Sequence, residues 1–166
     1  IGEGQVLVID SRNDPRAASA GAMLPTRMKL RGAAAIVTDG SFRDGQELAK
    51  LDFPAYAQMV VASTRLSFHR VADLQVPIAC ADVPVYPGDI IVGDGDGITV
   101  VPRHLAVEMA DLCERRDEFE KYLSYRVGSG EALYGVYPPT DQTRADFEAW
   151  KAAGSNAEDA PKIRAE

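Results

Sequence analysis

Arg43 and Asp44 stand side by side just past Asp39-Gly40, at the end of the stretch GAMLPTRMKLRGAAAIVTDGSFRD that begins at Gly21. An arginine guanidinium offers a planar fork for a carbonyl or carboxylate oxygen. An aspartate offers a hard oxygen ligand for Mg²⁺ or Mn²⁺. Set at the carboxyl end of a strand, beside a crevice, the two could bind a small 2-oxo acid around a metal. Taken alone, the pair has a second reading, a surface ion pair worth little.

Other residues with chemical potential point less clearly to a site. His69 lies in Leu66-Ser67-Phe68-His69, and His104 follows Pro102-Arg103 at the start of a long helical stretch. A lone histidine in such a setting is first a structural or exposed residue and only second a base. Cys80 and Cys113 are the only cysteines, and their spacing fits no metal knuckle. Two buried thiols in a reducing compartment are the default. Asp94-Gly95-Asp96-Gly97 begins like a calcium loop but lacks the third acidic position and the distal glutamate, so it reads as a hairpin turn. Gly93-x-Gly95 is no dinucleotide fingerprint, because a strand follows it rather than a helix.

These residues need elements to position them. Residues 5–9 (QVLVI) read as a strand and 11–17 as a loop. Residues 18–31 place Met23, Leu24, Met28 and Leu30 near helical spacing, with the regular helix starting near Pro25 and stopping at Gly32. Residues 33–38 (AAAIVT) read as a buried strand that turns at Asp39-Gly40. Strand, helix and strand in about 35 residues have the size of a βαβ unit. Residues 43–50 suit a short helix, and 55–62 and 76–81 suit strands. Pro87-Gly88-Asp89 turns the chain into 90–92, and a second turn at 93–97 leads to 98–101, a hairpin pattern. Residues 105–125 form the longest helical stretch, with Leu105, Met109, Leu112, Phe119 and Leu123 on one face. Residues 126–139 read as a loop, 141–152 as a helix with Phe147 and Trp150 as apolar contacts, and 155–166 as a frayed polar end. No internal repeat is visible, and no linker divides the chain.

The chain has 166 residues, 46% of them hydrophobic, which is enough for a real core. Its net charge of -7 argues against nucleic-acid binding, which needs clustered Lys and Arg. The densest basic spot, Arg115-Arg116, sits among Glu114, Asp117, Glu118 and Glu120 and reads as a solvated helix face. No apolar run is long enough to span a bilayer, and no signal peptide is visible. The expectation is a soluble cytoplasmic protein. The first residue is Ile1, so further native residues are expected upstream.

Several spaced segments, in order, resemble the RraA-like / class II 4-hydroxy-4-methyl-2-oxoglutarate aldolase family. Gly32, then AAAIVTDG, then Arg43-Asp44 resembles its signature. Asp52-Phe53-Pro54-Ala55-Tyr56 resembles its FPVFA segment, and Val76-Pro77-Ile78 its VPV strand. Tyr86 to Pro102, YPGDIIVGDGDGITVVP, resembles its PGD-V-AD-DGV-VVP hairpin, and Val127 to Glu131 resembles its L-x-x-G-E segment. The likeness covers about residues 5–131.

The resemblance implies an α/β fold of the swivelling β/β/α type, lacking here the family's N-terminal helices and first strand. It implies a catalytic domain over residues 1–132, a helical C-terminal extension over 133–153 and a flexible tail over 154–166. It implies a homotrimer or dimer of trimers with sites between subunits. Asp44 would hold Mg²⁺ or Mn²⁺, mostly through waters. Arg43 would contact the keto oxygen of pyruvate, and the amides of Met23 and Leu24, following Gly21, would hold its carboxylate. Paired amides at a helix start suit a carboxylate. The activity implied is retro-aldol cleavage of 4-hydroxy-4-methyl-2-oxoglutarate-type substrates, with oxaloacetate decarboxylation in many members.

One position departs from the pattern. Aldolase members carry an acidic residue after the glycine matching Gly21, twenty-one positions before the arginine, and here that residue is Ala22. That acidic group serves proton transfer through a water. Its loss is expected to impair aldol chemistry more than decarboxylation. Glu118 or Glu120 of a neighbouring subunit would be a replacement base, with a solvated helix face as the plainer reading of both. The competing function is a non-catalytic RraA-like regulator that binds and inhibits an endoribonuclease. Such regulators generally lack the aspartate after the arginine. A third reading is an accessory module beside a sugar-acid enzyme.

Overall fold

A computed structural model describes residues 1–154, and in it the chain passes three times between two small parallel sheets. β1 (Val6–Ile9), β3 (Ala35–Thr38) and β5 (Ala55–Tyr56) make the first sheet, in the order β1-β3-β5. β2 (Ala18–Ala20), β4 (Ser41–Phe42) and β6 (Met59–Val60) make the second, in the order β2-β4-β6. Every pairing in both sheets is parallel. Each odd strand runs on into the next even one, so the crossings fall at residues 10–17, 39–40 and 57–58. The Gln58 N–H donates to the Gly40 carbonyl at 2.9 Å and ties the last two crossings together.

Two helices return the chain to the first sheet. α1 (Met23–Leu30) joins β2 to β3, and α2 (Gly45–Lys50) joins β4 to β5. α1 ends where the sequence requires: Gly32 has a φ of +77°, and the Gly32 and Ala33 amides close on the Lys29 and Met28 carbonyls. The fully buried, partly β-branched β3 forms the floor. Met28 from α1, Ile36 from β3, Phe42 from β4 and Phe53 pack into one apolar cluster. Burying Met28 and Ile36 contributes roughly 1.5–3 kcal/mol each. A second cluster joins Val37 to Cys80 and Val85. These last two come from an antiparallel pair, β7 (Ile78–Cys80) with β8 (Val83–Val85). β9 (Ile90–Gly93) and β10 (Ile98–Val101) form the predicted hairpin. Its turn is an aspartate turn: Asp94 Oδ1 accepts from the Asp96 and Gly97 amides. The calcium-like spacing therefore serves the turn.

The chain divides into two compact units, Ile1–His104 and the residues from Leu105 on. The second is helical: α3 (Ala106–Gly128), a short turn α4 (Leu133–Val136) and α5 (Asp141–Ala152). Tyr122, Leu123, Val136 and Phe147 form its core, with Phe119 and Trp150 packed against them. Thr140 and Thr143 cap α5 reciprocally, and Arg126 binds Glu131 at 2.6 Å and Asp146 at 3.1 Å. Among the described residues no helix is long and apolar enough to cross a membrane.

Three expectations need correction, and one stretch holds an element not foreseen. Within residues 18–31 the helix begins at Met23, close to the start expected near Pro25, and Ala18–Ala20 ahead of it are strand β2. Three small residues carry no periodicity; the reason they are a strand is the parallel partner β4 and the tight space in which Ala17 and Ala18 are buried. The single strand foreseen over 55–62 is β5 and β6, separated where the chain changes sheets. Residues 126–128 extend α3 rather than opening a loop. Of the apolar face foreseen on that helix, Phe119 and Leu123 join the core, whereas Met109 and Leu112 are exposed. The polar end expected over 155–166 lies outside the described residues.

Candidate functional site

The second sheet delivers two chain segments to one place. β2 ends at Ala20 and leads through Gly21 and Ala22 into α1. Its neighbour β4 ends at Phe42 and leads through Arg43 and Asp44 into α2. The Arg43 N–H donates to the Ala20 carbonyl at 3.0 Å, which continues the parallel ladder one step and sets the two exits side by side.

Asp44 then turns sharply. It has a left-handed backbone, φ 60° and ψ 39°, and its carbonyl starts α2 by accepting from the Glu47 and Leu48 amides. Aspartate tolerates this conformation better than most residues. Its side chain meets the start of α1, where Oδ2 accepts the Ala22 N–H at 3.1 Å. Arg43 Nε lies 3.5 Å from the same oxygen. Both side chains are roughly two-fifths exposed, so as a surface pair they contribute at most about 1 kcal/mol to stability.

Gly21 leaves the room for this. A Cβ there would stand 2.5 Å from Arg43 Nε and 2.5 Å from Asp44 Oδ2. Here glycine is required by close approach rather than by backbone angles. The start of α1 is otherwise uncapped: Ala22 gives no side-chain bond, and the first turn holds no acidic residue. The first intrahelical bond runs from Thr26 N–H to the Ala22 carbonyl. Pro25 has no N–H and the Ala22 amide is on Asp44, so among the described residues the Met23 and Leu24 amides are the helix-start donors left without an intrahelical acceptor. Two open amides at a positive helix end, beside a guanidinium, make an anion-attracting corner. Of the residues singled out from sequence, Gly21, Arg43 and Asp44 thus come together, and Met23 and Leu24 follow two and three positions after Gly21 at the start of α1. The Ala22 amide bond to Asp44 was not foreseen, since no pattern of residue types signals a backbone partner twenty-two residues away.

The remaining candidates lie elsewhere. His69 Nε2 is 3.3 Å from Asp14 Oδ2, on the loop that enters β2, whereas Arg43 and Asp44 meet the segment that leaves it. Hydrogen bonding from Arg16 holds the Asp14 carboxyl far below the usual carboxylate range. His104 lies in a single 3-10 turn, Arg103–Leu105. Glu118 and Glu120 are engaged by Lys151 and Arg116, respectively. Of the two cysteines expected to be buried, Cys113 is exposed, on the long helix α3, and Cys80 is buried. Burial first, then the charge of Asp39, pushes the Cys80 thiol up to about 11. A thiol so placed is no nucleophile near neutral pH. A cavity of about 580 Å³, bordered by Asp39, Gln58 and Ile98, lies in the first unit, but neither Arg43 nor Asp44 lines it.

Comparison with known proteins gives this corner its family. The RraA-like profile (Aldolase/RraA) matches residues 1–100, more than half of the chain. The chain belongs to the RraA-like family. A protein of Halalkalibacterium halodurans, provisionally named a 4-hydroxy-4-methyl-2-oxoglutarate aldolase, is 39% identical over 102 residues, which cover 60% of this chain and 47% of that one. The RraA-like chain thus spans about half the length of this relative. An uncharacterized protein from Pseudomonas syringae pv. tomato shares the fold, with a TM-score of 0.78 at 23% identity over 82% of this chain and 68% of its own. An unusual member of the RNase ES inhibitor RraA protein family, from Streptomyces coelicolor, has a TM-score of 0.66 at 28% identity, covering 76% of this chain and 64% of its own. The α/β fold expected from the sequence is therefore the RraA-like fold, carried here mainly by the crossing sheets and hairpins of the first unit.

Proposed function

We propose that this RraA-like chain is a divalent-metal-dependent carbon–carbon lyase that acts on a small 2-oxo acid through the enolate of pyruvate, with oxaloacetate-type decarboxylation favoured over aldol cleavage. The observation that carries the proposal is the corner itself: Arg43 and Asp44 meet the Gly21-Ala22 entry to α1, whose next two amides are those of Met23 and Leu24, and Gly21 clears the space. The family relatives named for aldolase activity support the same class of reaction.

The donor set fits a hard cation held by few protein ligands. Among the described residues no cluster of three His, Cys, Asp or Glu gathers, and Asp44 is the carboxylate at the corner. Mg²⁺ keeps most of its waters and accepts one or two carboxylates, so Asp44 would hold it, or Mn²⁺, largely through water. When bound, the cation supplies Lewis-acid stabilisation of negative charge. The Met23 and Leu24 amides bind the substrate carboxylate at the positive end of α1. Arg43 donates to the keto oxygen, where charge accumulates as the carbon–carbon bond breaks. In decarboxylation, the departing CO₂ leaves its bonding electrons in the enolate, so no base is needed for that step. Aldol cleavage needs an acceptor for the 4-hydroxyl proton, a contribution of roughly 10²–10⁴ in rate. Ala22 supplies none. The site would be completed in a homotrimer or dimer of trimers; the exposed Met23, Leu24 and Leu30 on α1 provide apolar surface for a neighbouring copy. The expected location is the cytoplasm.

The test is pyruvate release from oxaloacetate and from 4-hydroxy-4-methyl-2-oxoglutarate, with Mg²⁺ or Mn²⁺ and with EDTA, for wild type and Asp44→Ala. Metal-dependent turnover that Asp44→Ala abolishes, greater on oxaloacetate, is the expected result. Turnover indifferent to EDTA and to Asp44→Ala would overturn the site. Absence of turnover on either substrate would shift the balance to an endoribonuclease-binding regulator, the activity in the name of the Streptomyces coelicolor protein's family.

A further inference from the structure

We propose that Asp39 is a positioning residue for the Arg43–Asp44 corner: its buried carboxylate fixes the point where β3 crosses into β4 and so sets the place of Arg43 and Asp44 against Gly21 and Ala22. The inference rests on the functional reading above only for what the corner does. Asp39 is 2% exposed, and no cationic side chain pairs with it among the described residues. Backbone amides hold it instead. Oδ1 accepts from Ser11 N–H, and Oδ2 accepts from Asn13 N–H at 3.0 Å and Ala81 N–H at 3.3 Å. A buried carboxylate without such donors would be costly, and with them it becomes a fastening.

The donors come from separate loops. Ser11 and Asn13 follow β1, and Ala81 turns β7 into β8. Arg12, Asn13, Ala81 and Asp82 all have left-handed backbones, with φ between 51° and 62°. Non-glycine residues persist in that conformation only where surrounding contacts over-determine it. Asn13 and Ala81 donate their amides to the Asp39 carboxylate, one from each loop, so Asp39 is a contact that holds the two loops in place; Ala81-Asp82 are also the two-residue turn between the paired Cys80 and Val83.

A ring of hydroxyls transmits the fastening to the site. Ser11 Oγ lies 2.7 Å from Ser19 Oγ and 3.2 Å from Thr38 Oγ1, and Ser19 Oγ lies 3.0 Å from Thr38 Oγ1. Thr38 Oγ1 also accepts the Gly40 N–H at 3.0 Å. Gly40 packs so closely that a Cβ there would stand 2.7 Å from Ser11 Cβ. Ser19 belongs to β2, which leads to Gly21, and Gly40 precedes β4, which leads to Arg43. Asp39 and the ring therefore lock together the two strands whose ends form the corner.

The experiment uses Asp39→Asn in the full chain, with Thr38→Val as a second variant. The amide keeps one acceptor oxygen of two, so its N–H₂ must face either the Ser11 N–H or the Asn13 and Ala81 N–H groups. Two quantities are read: hydrogen exchange of the Ala22 amide, which Asp44 holds, and Mn²⁺ affinity by electron paramagnetic resonance. Exchange at Ala22 is expected to quicken roughly tenfold as the corner loosens. Mn²⁺ affinity is expected to fall about 10–100-fold, the usual effect of losing an outer support of a metal ligand. A lowered melting temperature with both quantities unchanged makes Asp39 merely structural and overturns the proposal. If Asp39→Asn does not fold, Thr38→Val decides by the same two readings. If wild type binds no Mn²⁺, the functional reading fails, and exchange at Ala22 alone decides the role of Asp39.

Discussion

Gly21→Ala tests the corner with the smallest possible change. The added methyl would lie 2.5 Å from both Arg43 Nε and Asp44 Oδ2. Ordinary contacts to carbon are about 3.5 Å, so each polar atom must retreat by about 1 Å. Asp44 Oδ2 ends a short side chain and Arg43 Nε lies midway along a long one, whose Cγ is 3.0 Å from the same methyl; both side chains are partly exposed and can move without disturbing the core. The stability cost should therefore stay near the low end of the roughly 1–3 kcal/mol typical of overpacking. Activity should suffer far more, because a misplacement of about 1 Å at a catalytic group can cost 10²-fold. The Ala22 amide also loses its acceptor as Asp44 moves. The assay pairs kcat/KM for oxaloacetate decarboxylation under saturating Mn²⁺ with thermal denaturation. A fall of about 10²-fold in kcat/KM, or about 2.7 kcal/mol of transition-state stabilisation, is expected with a nearly unchanged Tm. A folded Gly21→Ala protein with turnover within threefold of wild type would refute the claim that Arg43 and Asp44 act from where they stand.

Three further outcomes follow from the same structure. Ala22→Glu should raise cleavage of 4-hydroxy-4-methyl-2-oxoglutarate relative to oxaloacetate decarboxylation by roughly 10²-fold or more, the worth of a positioned base; an unchanged ratio in a paired assay would count against the role given to this position. The buried Cys80 thiol has its pKa raised from 9.0 to about 11. Both states are neutral below pH 9, and between about 9 and 11 the unfolded thiol ionises first, so its contribution to stability is lost as pH rises through that window. Urea titrations should show wild type losing more stability than Cys80→Ala between these limits, and equal slopes would argue against the shift. In the helical unit, Phe147 packs 4.9 Å from Phe119 and 5.3 Å from Tyr122. Phe147→Ala should destabilise that unit by about 3–5 kcal/mol, read as a lower urea midpoint for the loss of helical circular dichroism.

Much of the site was legible because its side chains announce themselves. An adjacent Arg43-Asp44 after Asp39-Gly40, and Pro25 just inside a helix, are local signals, and α1 begins where Pro25 implied. The elements that carry the pair to its partner were less visible. β4 has two residues and β2 three, too few for any period to register, and they are strands only because each finds the other. The apolar run 55–62 has strand composition throughout, yet Ala57 and Gln58 bend it from one sheet to the other. The donors to Asp39 are 28, 26 and 42 residues away, and all are backbone amides that any residue except proline could supply. Sequence names side chains, and backbone chemistry fixed by tertiary contact leaves no trace in it.

That division of labour explains how the corner tolerates Ala22. A helix start usually takes a side-chain cap, and losing one typically costs about 1 kcal/mol. Here the cap comes from Asp44 through space, so the residue at position 22 contributes its amide and leaves its side chain free to vary. The same aspartate is the one the functional reading assigns to the metal. A cation held by Asp44 would weaken the hold of that carboxylate on the Ala22 amide and so raise the pull of α1 on a substrate carboxylate. Metal and substrate would then favour each other by linkage through one carboxylate. An acidic side chain at position 22 would repel Asp44 and oppose that arrangement unless the metal were already in place. On that reading, Ala22 would forgo a base at this position and keep a corner whose two halves are joined by the Ala22 amide and Asp44 alone.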